Sequence, residues 1–352
     1  MGPSTNSRTT PLVSLLVPLY QERGFIEALC ASLDQQTFPA DRLEVFFLDG
    51  GSTDGTREYL AQRVFACRAR VVDNPRRLQV HALNEGLRLA AGTYVVRWDA
   101  HAYYAPDYIE RCIALLEEDP TVRNCGGPML AVGYDFASEV IADILNSPLG
   151  VGSARYRYAK ERMEADTVFL GAFRRSDLLA AGGWNGDFAV AEDMELSLRL
   201  KKRLGGRFLV DPEIRVEYRP RNSISRFAFQ YHQYGRYRIR LAGIHPEALR
   251  WTHGLPILLL PATAIGLGVG SWLLLAGSPW AWLFLSPLLM YALYAVTASA
   301  LLAKAHRPRQ GGFLKRMAYG AACLGAMHFS WSVGALHGIL DRIGKRKPNG
   351  AV

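Results

Sequence analysis

TYVVRWDAHAYYAPDYIERCIALLEED, residues 93–119, runs from an apolar strand-like stretch through a polar turn into an amphipathic one. TYVV has the β-branched and aromatic content of a buried strand, yet the run ends on Asp99 and His101, two residues apart. A strand sends residues i and i+2 to the same side. A carboxylate and an imidazole placed there would leave the sheet edge aimed at one point, as holding a metal ion requires. The alternative is that His101 only caps the loop that follows.

The same alternation recurs upstream. VSLLVP is followed by GFIEALCASLDQQ, LEVFFLD by TREYLAQRVFA, and ARVVD by LQVHALNEGLRLAAG. Strand then helix, four times over, predicts an α/β domain with a mostly parallel central sheet covered on both faces. Such sheets bind ligands beyond the carboxyl ends of their strands. Those ends are polar and turn-forming: VPLYQER (17–23), DGGSTDGT (49–56), DNPRR (73–77) and DAH (99–101). Taken alone, DGGSTDGT reads equally well as a loop with a helix cap, since Ser52, Thr53 and Asp54 are good caps. No GxGxxG follows the first strand and no GxxxxGK[ST] occurs, which counts against a dinucleotide-dependent oxidoreductase and a phosphate-binding glycine loop. A nucleotide would instead be held through carboxylates and a metal.

The chain has 352 residues, enough for a soluble domain of roughly 200–250 residues and more. From Gly254 the composition shifts to GLPILLLPATAIGLGVGSWLLLAG and then WAWLFLSPLLMYALYAVTASALLA, each about as long as the roughly 20 apolar residues that cross a bilayer. The N-terminus lacks the pattern of a secretory signal, so the first domain is expected to face the cytosol. Much of the net charge of +9 flanks the apolar stretches: Arg236, Arg238, Arg240 and Arg250 before them, and Lys304, Arg307, Arg309, Lys315 and Arg316 after them. That placement suits a cytosolic membrane face better than nucleic acid. A third stretch, MAYGAACLGAMHFSWSVGALHGIL, carries His328 and His337 and is followed by Arg342, Lys345, Arg346 and Lys347, which leaves interfacial, re-entrant and spanning readings open. Five scattered cysteines with no CxxC pair are expected to be reduced core thiols. The expected divisions are 1–12 flexible, 13–222 the α/β domain, 223–253 an amphipathic membrane-interface segment, and 254–303 two transmembrane helices. A basic cytosolic loop (304–316), the third apolar helix (317–340) and a basic tail (341–352) follow.

VPLYQER, LDGGSTDGT, NPRRLQVHALNEGL, VVRWDAH and GGWNGDFAVAEDMELSLRLKK together resemble the family 2 inverting glycosyltransferases with a GT-A fold, in particular a membrane-anchored exopolysaccharide branch. The likeness runs from about residue 13 to about 240, with a similar membrane tail beyond. It implies that Pro18, Tyr20 and Glu22 line a nucleoside pocket, that Asp49 contacts a uracil-like base, and that Arg77 and Asn84 help hold the nucleotide. Gly50 stands where the family often has a second aspartate, which puts the role of that carboxylate in doubt. DAH corresponds to the family's DxD, so Asp99 and His101 would hold a divalent metal, Mn²⁺ or Mg²⁺, on the donor diphosphate; imidazole suits Mn²⁺ and Mg²⁺ prefers oxygen.

In AEDMELSLRLKKRLGG a helix begins on acids and ends on Lys201, Lys202 and Arg203, so Glu192 and Asp193 are candidates for simple dipole capping. The resemblance instead makes Asp193 the general base, with Glu192 on the acceptor side. Gln233, Arg236 and Tyr237 resemble the family's QxxRW, with tyrosine for tryptophan, and imply acceptor or product contacts; the same segment also reads as an amphipathic helix at the membrane surface. Trp184 is a candidate for stacking on an acceptor sugar, or a core residue. The implied reaction moves one sugar from a nucleotide sugar, UDP favoured, to a hydroxyl of a lipid-linked polyprenyl-diphosphate glycan, with membrane lipids as further partners and no nucleic acid. The rivals are a polyprenyl-phosphate sugar synthase and a non-catalytic membrane scaffold.

Overall fold

Every residue of LEVFFLD is buried because this strand lies inside a sheet with neighbours on both edges and helices on both faces. The computed structural model describes residues 10–152, 154–305 and 310–344. The N-terminal segment 1–9, Arg307 and Arg309 of the basic loop, and Lys345, Arg346 and Lys347 of the basic tail lie outside the described residues. In chain order the strands are β1 (Val13–Leu19), β2 (Leu43–Asp49), β3 (Arg68–Asp73), β4 (Tyr94–Arg97), β5 (Ala102–Tyr104), β6 (Val122–Gly126), β7 (Leu130–Ala131), β8 (Met163–Glu164), β9 (Ala172–Arg174), β10 (Arg207–Val210) and β11 (Val216–Tyr218).

The main sheet has the order β3-β2-β1-β4-β9-β6-β10-β8. Its first four strands are parallel, as the sequence predicts, with Leu19 opposite Asp49 and Asp49 opposite Asp73, so the carboxyl ends of β1, β2 and β3 are level. The other half is mixed. β9 runs antiparallel to both β4 and β6, β10 is parallel to β6, and β8 is antiparallel to β10. The three residues of β9 are too few to show an alternation in sequence, and the strand packs this closely through glycine: a Cβ on Gly171 would lie 1.8 Å from Asn124 Oδ1.

Alternate residues of β1 feed two apolar layers, as the period of a strand dictates. Val13, Leu15, Val17 and Leu19 pack with the helices Ile26–Asp34 and Tyr108–Glu118. Leu16, Phe46 and Leu48 pack with Gln79–Leu89, Arg175–Ala181 and Glu192–Leu204 on the other face. The five cysteines are free thiols, and burial pushes Cys30 up to about 12, as inert core thiols should be.

The chain divides into two compact units, Met1–Leu130 with Tyr156–Tyr218, and Ala131–Arg155 with Arg219–Val352. Residues 131–155, expected inside the α/β domain, therefore group with the C-terminal helices. In that second unit two helical stretches, Trp251–Leu275 and Ala281–Ala305, are long and apolar enough to cross a bilayer. They leave large side chains such as Leu255, Trp272, Leu275 and Met290 exposed, which suits lipid better than water. The first contains a π-helical turn, Gly266–Gly270, whose Gly266 and Gly270 let it close on Phe284 and Leu285 of the second.

The third apolar stretch is one uninterrupted helix, Phe313–Ile343, which excludes a re-entrant hairpin, and it is not among the candidate spans. It packs along the amphipathic helix Ile224–Ala242. A Cβ on Gly235 would lie 2.1 Å from Trp331 O, and one on Gly334 would lie 1.9 Å from His232 O. Only glycine permits that approach. His232 Nε2 lies 2.8 Å from His337 Nδ1, and Arg236 pairs with Asp341 at 2.6 Å along the same seam.

Candidate active site

Arg97 closes β4 and is the only charged residue in an otherwise apolar strand. Its guanidinium, 9% exposed, meets Asp99 Oδ1 at 3.3 Å and Glu192 Oε1 at 3.0 Å. Burial alone would lower its pKa, but the carboxylates of Asp99, Glu192 and Asp193 outweigh that and raise it. Three acids are thus gathered about one buried cation. For Glu192 the balance is reversed: burial pushes its carboxyl up to about 7 against the pull of Arg97, with Asp193 and Asp99 adding to the rise.

Asp99 is held from several sides. Gln79 donates to its Oδ1 at 3.0 Å from the start of the helix Gln79–Leu89, and its backbone N–H donates to the Tyr104 hydroxyl at 2.7 Å. The Tyr104 ring stacks on Trp98 at 3.8 Å, which fixes the turn. Oδ2 of Asp99 accepts no bond among the described residues. His101 stands edge-on to Phe25 and Tyr218, with Nδ1 3.8 Å from Glu22 Oε1.

No cluster of three or more His, Cys, Asp or Glu side chains suited to a metal occurs among the described residues. Asp99 and His101 offer at most a partial donor set of one carboxylate and one imidazole. Such a set fits a divalent ion that brings oxygen ligands of its own.

Glu192 and Asp193 open the helix Glu192–Leu204, whose N-cap is Ala191 with no side-chain cap. Glu192 points to Arg97 and not to the helix end. Asp193 Oδ1 accepts from the Met194 N–H at 2.7 Å, and its second oxygen takes no bond among the described residues. Ala191, Gln21 and Arg77 all have left-handed backbones (φ 63°, 57° and 57°) in the loops around this crest. Strain of that kind is commonly stored at functional sites.

At the level ends of β1, β2 and β3 the half-exposed Tyr20 ring has the Arg77 guanidinium over it at 5.3 Å. Pro18 lies in β1 beside Leu48, and a Cβ on Gly50 would come 3.1 Å from Tyr20 Cδ2, so an aspartate at Gly50 would displace that ring. Asp49 is 1% exposed and accepts from Ser52 Oγ at 2.6 Å, from the N–H groups of Gly51 and Ser52, and from Arg57 at 3.2 Å. Its carboxylate braces the 49–56 loop, and Arg57 ties it to Asp73 at 2.5 Å.

Some expected residues have other duties. Asn84 uses both ends of its amide on the backbone of Trp184, at 2.7 and 2.8 Å, and so pins the 182–185 turn. Trp184 is 3% exposed and edge-on to Phe173, a core side chain with no face for a sugar. Tyr237 is buried, Gln233 nearly so, and Arg236 is engaged by Asp341, so QxxRY serves helix pairing in the second unit. Arg97, Gln79, Arg57 and Tyr104 were not singled out in the sequence. Arg97 carried a signal, since a lone arginine inside an apolar strand must find buried partners.

The sequence pattern of Glycosyl transferase family 2 matches residues 14–171, and that of Glycosyl transferase family group 2 matches residues 94–303. Succinoglycan biosynthesis protein ExoA of Rhizobium meliloti (strain 1021) is 29% identical over 345 residues, covering 96% of this chain and 98% of the relative. A dolichyl N-acetyl-alpha-D-glucosaminyl phosphate 3-beta-D-2,3-diacetamido-2,3-dideoxy-beta-D-glucuronosyltransferase of Methanococcus voltae is 28% identical, covering 63% of this chain and 71% of the relative. Among solved structures, the mannosyltransferase PcManGT of Pyrobaculum calidifontis, in complex with GDP-Man and Mn²⁺, superposes with TM-score 0.57 at 21% identity over 95% of this chain and 88% of its own. S. aureus TarS 1-349 gives 0.51 at 15% identity over 97% and 94%. Strand order, crest residues and sequence likeness agree: the chain belongs to the family 2 glycosyltransferases and has their GT-A fold.

Proposed function

We propose that the protein is an inverting glycosyltransferase that moves one sugar from a nucleotide sugar, UDP-linked by preference, to a hydroxyl of a lipid-linked polyprenyl-diphosphate glycan at a cytosolic membrane face. The observation that carries this reading is the gathering of Asp99, Glu192 and Asp193 about buried Arg97 at the carboxyl end of β4. The nucleoside would lie between Tyr20, Arg77 and Glu22, with Asp49 shaping the loop beneath. Asp99 and His101 would hold a divalent ion on the diphosphate, where it offsets the charge that builds as the nucleotide departs.

Asp193 is half-buried, whereas Glu192 is buried against Arg97, and one oxygen of Asp193 takes no bond among the described residues. It would take the proton of the acceptor hydroxyl while that oxygen attacks the anomeric carbon from the face opposite the diphosphate, so configuration inverts. Glu192, neutral over part of the physiological range, leaves Asp193 the one free to act. The dolichyl-linked relative supports a lipid-borne acceptor, the succinoglycan relative a role in polysaccharide synthesis, and the two apolar helices a membrane site. Confinement to the bilayer raises the effective concentration of such an acceptor.

The test is a panel of UDP-, GDP- and dTDP-sugars incubated with full-length protein, with nucleotide release measured before and after chelation. One donor should stand out and chelation should abolish its turnover; turnover that persists in chelator contradicts the assigned metal role.

A further inference from the structure

The second unit carries a cationic patch that no step above uses. The segment after β11 enters the helix Ile224–Ala242 as RPRNSISR, residues 219–226, with three arginines and no acid. The Arg219 guanidinium lies 5.4 Å over the Tyr134 ring. Arg219, Arg226 and Arg221 all reach the Tyr134 phenol electrostatically, so the three are clustered about one half-exposed aromatic side chain. Arg221 and Arg226 are exposed and make no ion pair among the described residues. Asp135 is the acid close by. Its carboxylate is engaged as the cap of the helix Phe136–Leu145, and the Asn222 side chain lies beside it.

The position of the patch is set by its neighbours in the same unit. Phe136, two residues from Tyr134, packs against Tyr319 and carries Lys315 over its ring at 4.4 Å. Tyr319 also lies near the backbone of Ile224, two residues before Arg226. One turn earlier on its helix, Arg316 is buried between Glu139 at 3.0 Å and Asp143 at 2.7 Å. Ser299, Leu302 and Ala303, the last turns of the apolar helix Ala281–Ala305, line the same space as Asp143 and Arg316. Tyr134 and its arginine thus belong to the same packed region as the last turns of a candidate membrane span. Where a span ends, a bilayer presents phosphate groups. Phe229, exposed one turn along from Ser225, adds an apolar face suited to lipid chains.

We propose that Arg219, Arg221 and Arg226, around Tyr134, bind the phosphate group of a membrane-borne lipid, specifically the diphosphate of a prenyl-linked acceptor. Arginine forks match phosphate oxygens bidentately, and three of them suit the charge of a diphosphate better than that of a single phosphodiester. This assignment deepens the reading of the protein as a transferase to lipid-linked glycans and rests on it for the acceptor class.

The experiment measures binding of a fluorescent short-chain prenyl diphosphate to full-length protein in neutral phosphatidylcholine nanodiscs, with no nucleotide sugar present. R221A/R226A should weaken binding at least about tenfold, as loss of charge-assisted bonds implies, while R221K/R226K, which keeps the charge and loses the fork, should weaken it by less than the alanine pair does. Melting temperatures of both variants should match the wild type, as befits exposed side chains. Unlabelled prenyl diphosphate should displace the probe. Equal displacement by phosphatidylglycerol would mean a general headgroup site, and equal displacement by inorganic pyrophosphate a soluble-anion site; either result, or unchanged binding in R221A/R226A, overturns the assignment. Because no donor is present, failure here leaves the transferase reading standing, and an enzyme inert toward every donor could still bind the probe.

Discussion

Glu192 shows how burial and pairing compete at a single residue. Its carboxyl rises from 4.5 to about 7 because it is buried, although Arg97 lies 3.0 Å away. Below pH 4.5 the group is protonated in folded and unfolded chains alike. Between about 4.5 and 7 the unfolded chain ionises first, so the folded state loses stability as pH rises through that window. Glu192→Gln cannot ionise and avoids the loss. The melting temperature of E192Q minus that of the wild type should grow from pH 5 to pH 8, with a gain of order 1–3 kcal/mol; a difference that shrinks would mean the Arg97 pair dominates burial. The sequence displayed Glu192 and Asp193 as a pair. It did not display which of them faces the buried cation, because the partner lies 95 residues away in another element.

At the scale of elements, the first four strand-and-helix units were legible because each strand is long enough for its pattern to show. β9, with three residues, and the two-residue β8 were not, and their antiparallel pairings make that half of the sheet mixed. The amphipathic character of Ile224–Ala242 was also legible, but its partner was not: the face read as membrane-directed packs in part on Phe313–Ile343 through glycines. This pairing makes a sharp contrast within one helix. Gly334→Ala would put a Cβ 1.9 Å from His232 O and should cost at least about 1–3 kcal/mol, whereas a Cβ on Gly325 meets nothing within 4 Å. Gly325→Ala should be neutral or stabilising by up to about 1 kcal/mol. Thermal melts of the two variants in detergent check this, and equal losses would contradict the close helix seam.

Across the whole molecule, four of the five motifs that carried the family likeness fall at the carboxyl ends of the neighbouring strands β1–β4, which is why they could be read together before any fold was known. Asp99, Glu192 and Asp193 meet there through Arg97, a residue inside the VVRWDAH motif to which the sequence reading gave no role. Asn84 and Trp184 lie in the same motifs and yet hold each other, since a motif conserves no distinction between residues that touch a ligand and residues that shape the loop around it. The division into two units is likewise invisible along the chain, because residues 131–155 join the C-terminal helices from within the α/β sequence. The apolar stretches were legible by length alone.

The central claim is that Asp193 removes the acceptor proton while the rest of the crest binds the donor. Full-length wild type and Asp193→Asn should be compared by steady-state sugar transfer and by calorimetric titration with the preferred nucleotide sugar and Mn²⁺. The account predicts that D193N loses about 10²–10⁴-fold in transfer while its donor Kd stays within a few-fold of the wild type. Transfer retained near the wild-type rate, as an acceptor phosphate needing no deprotonation would allow, contradicts it.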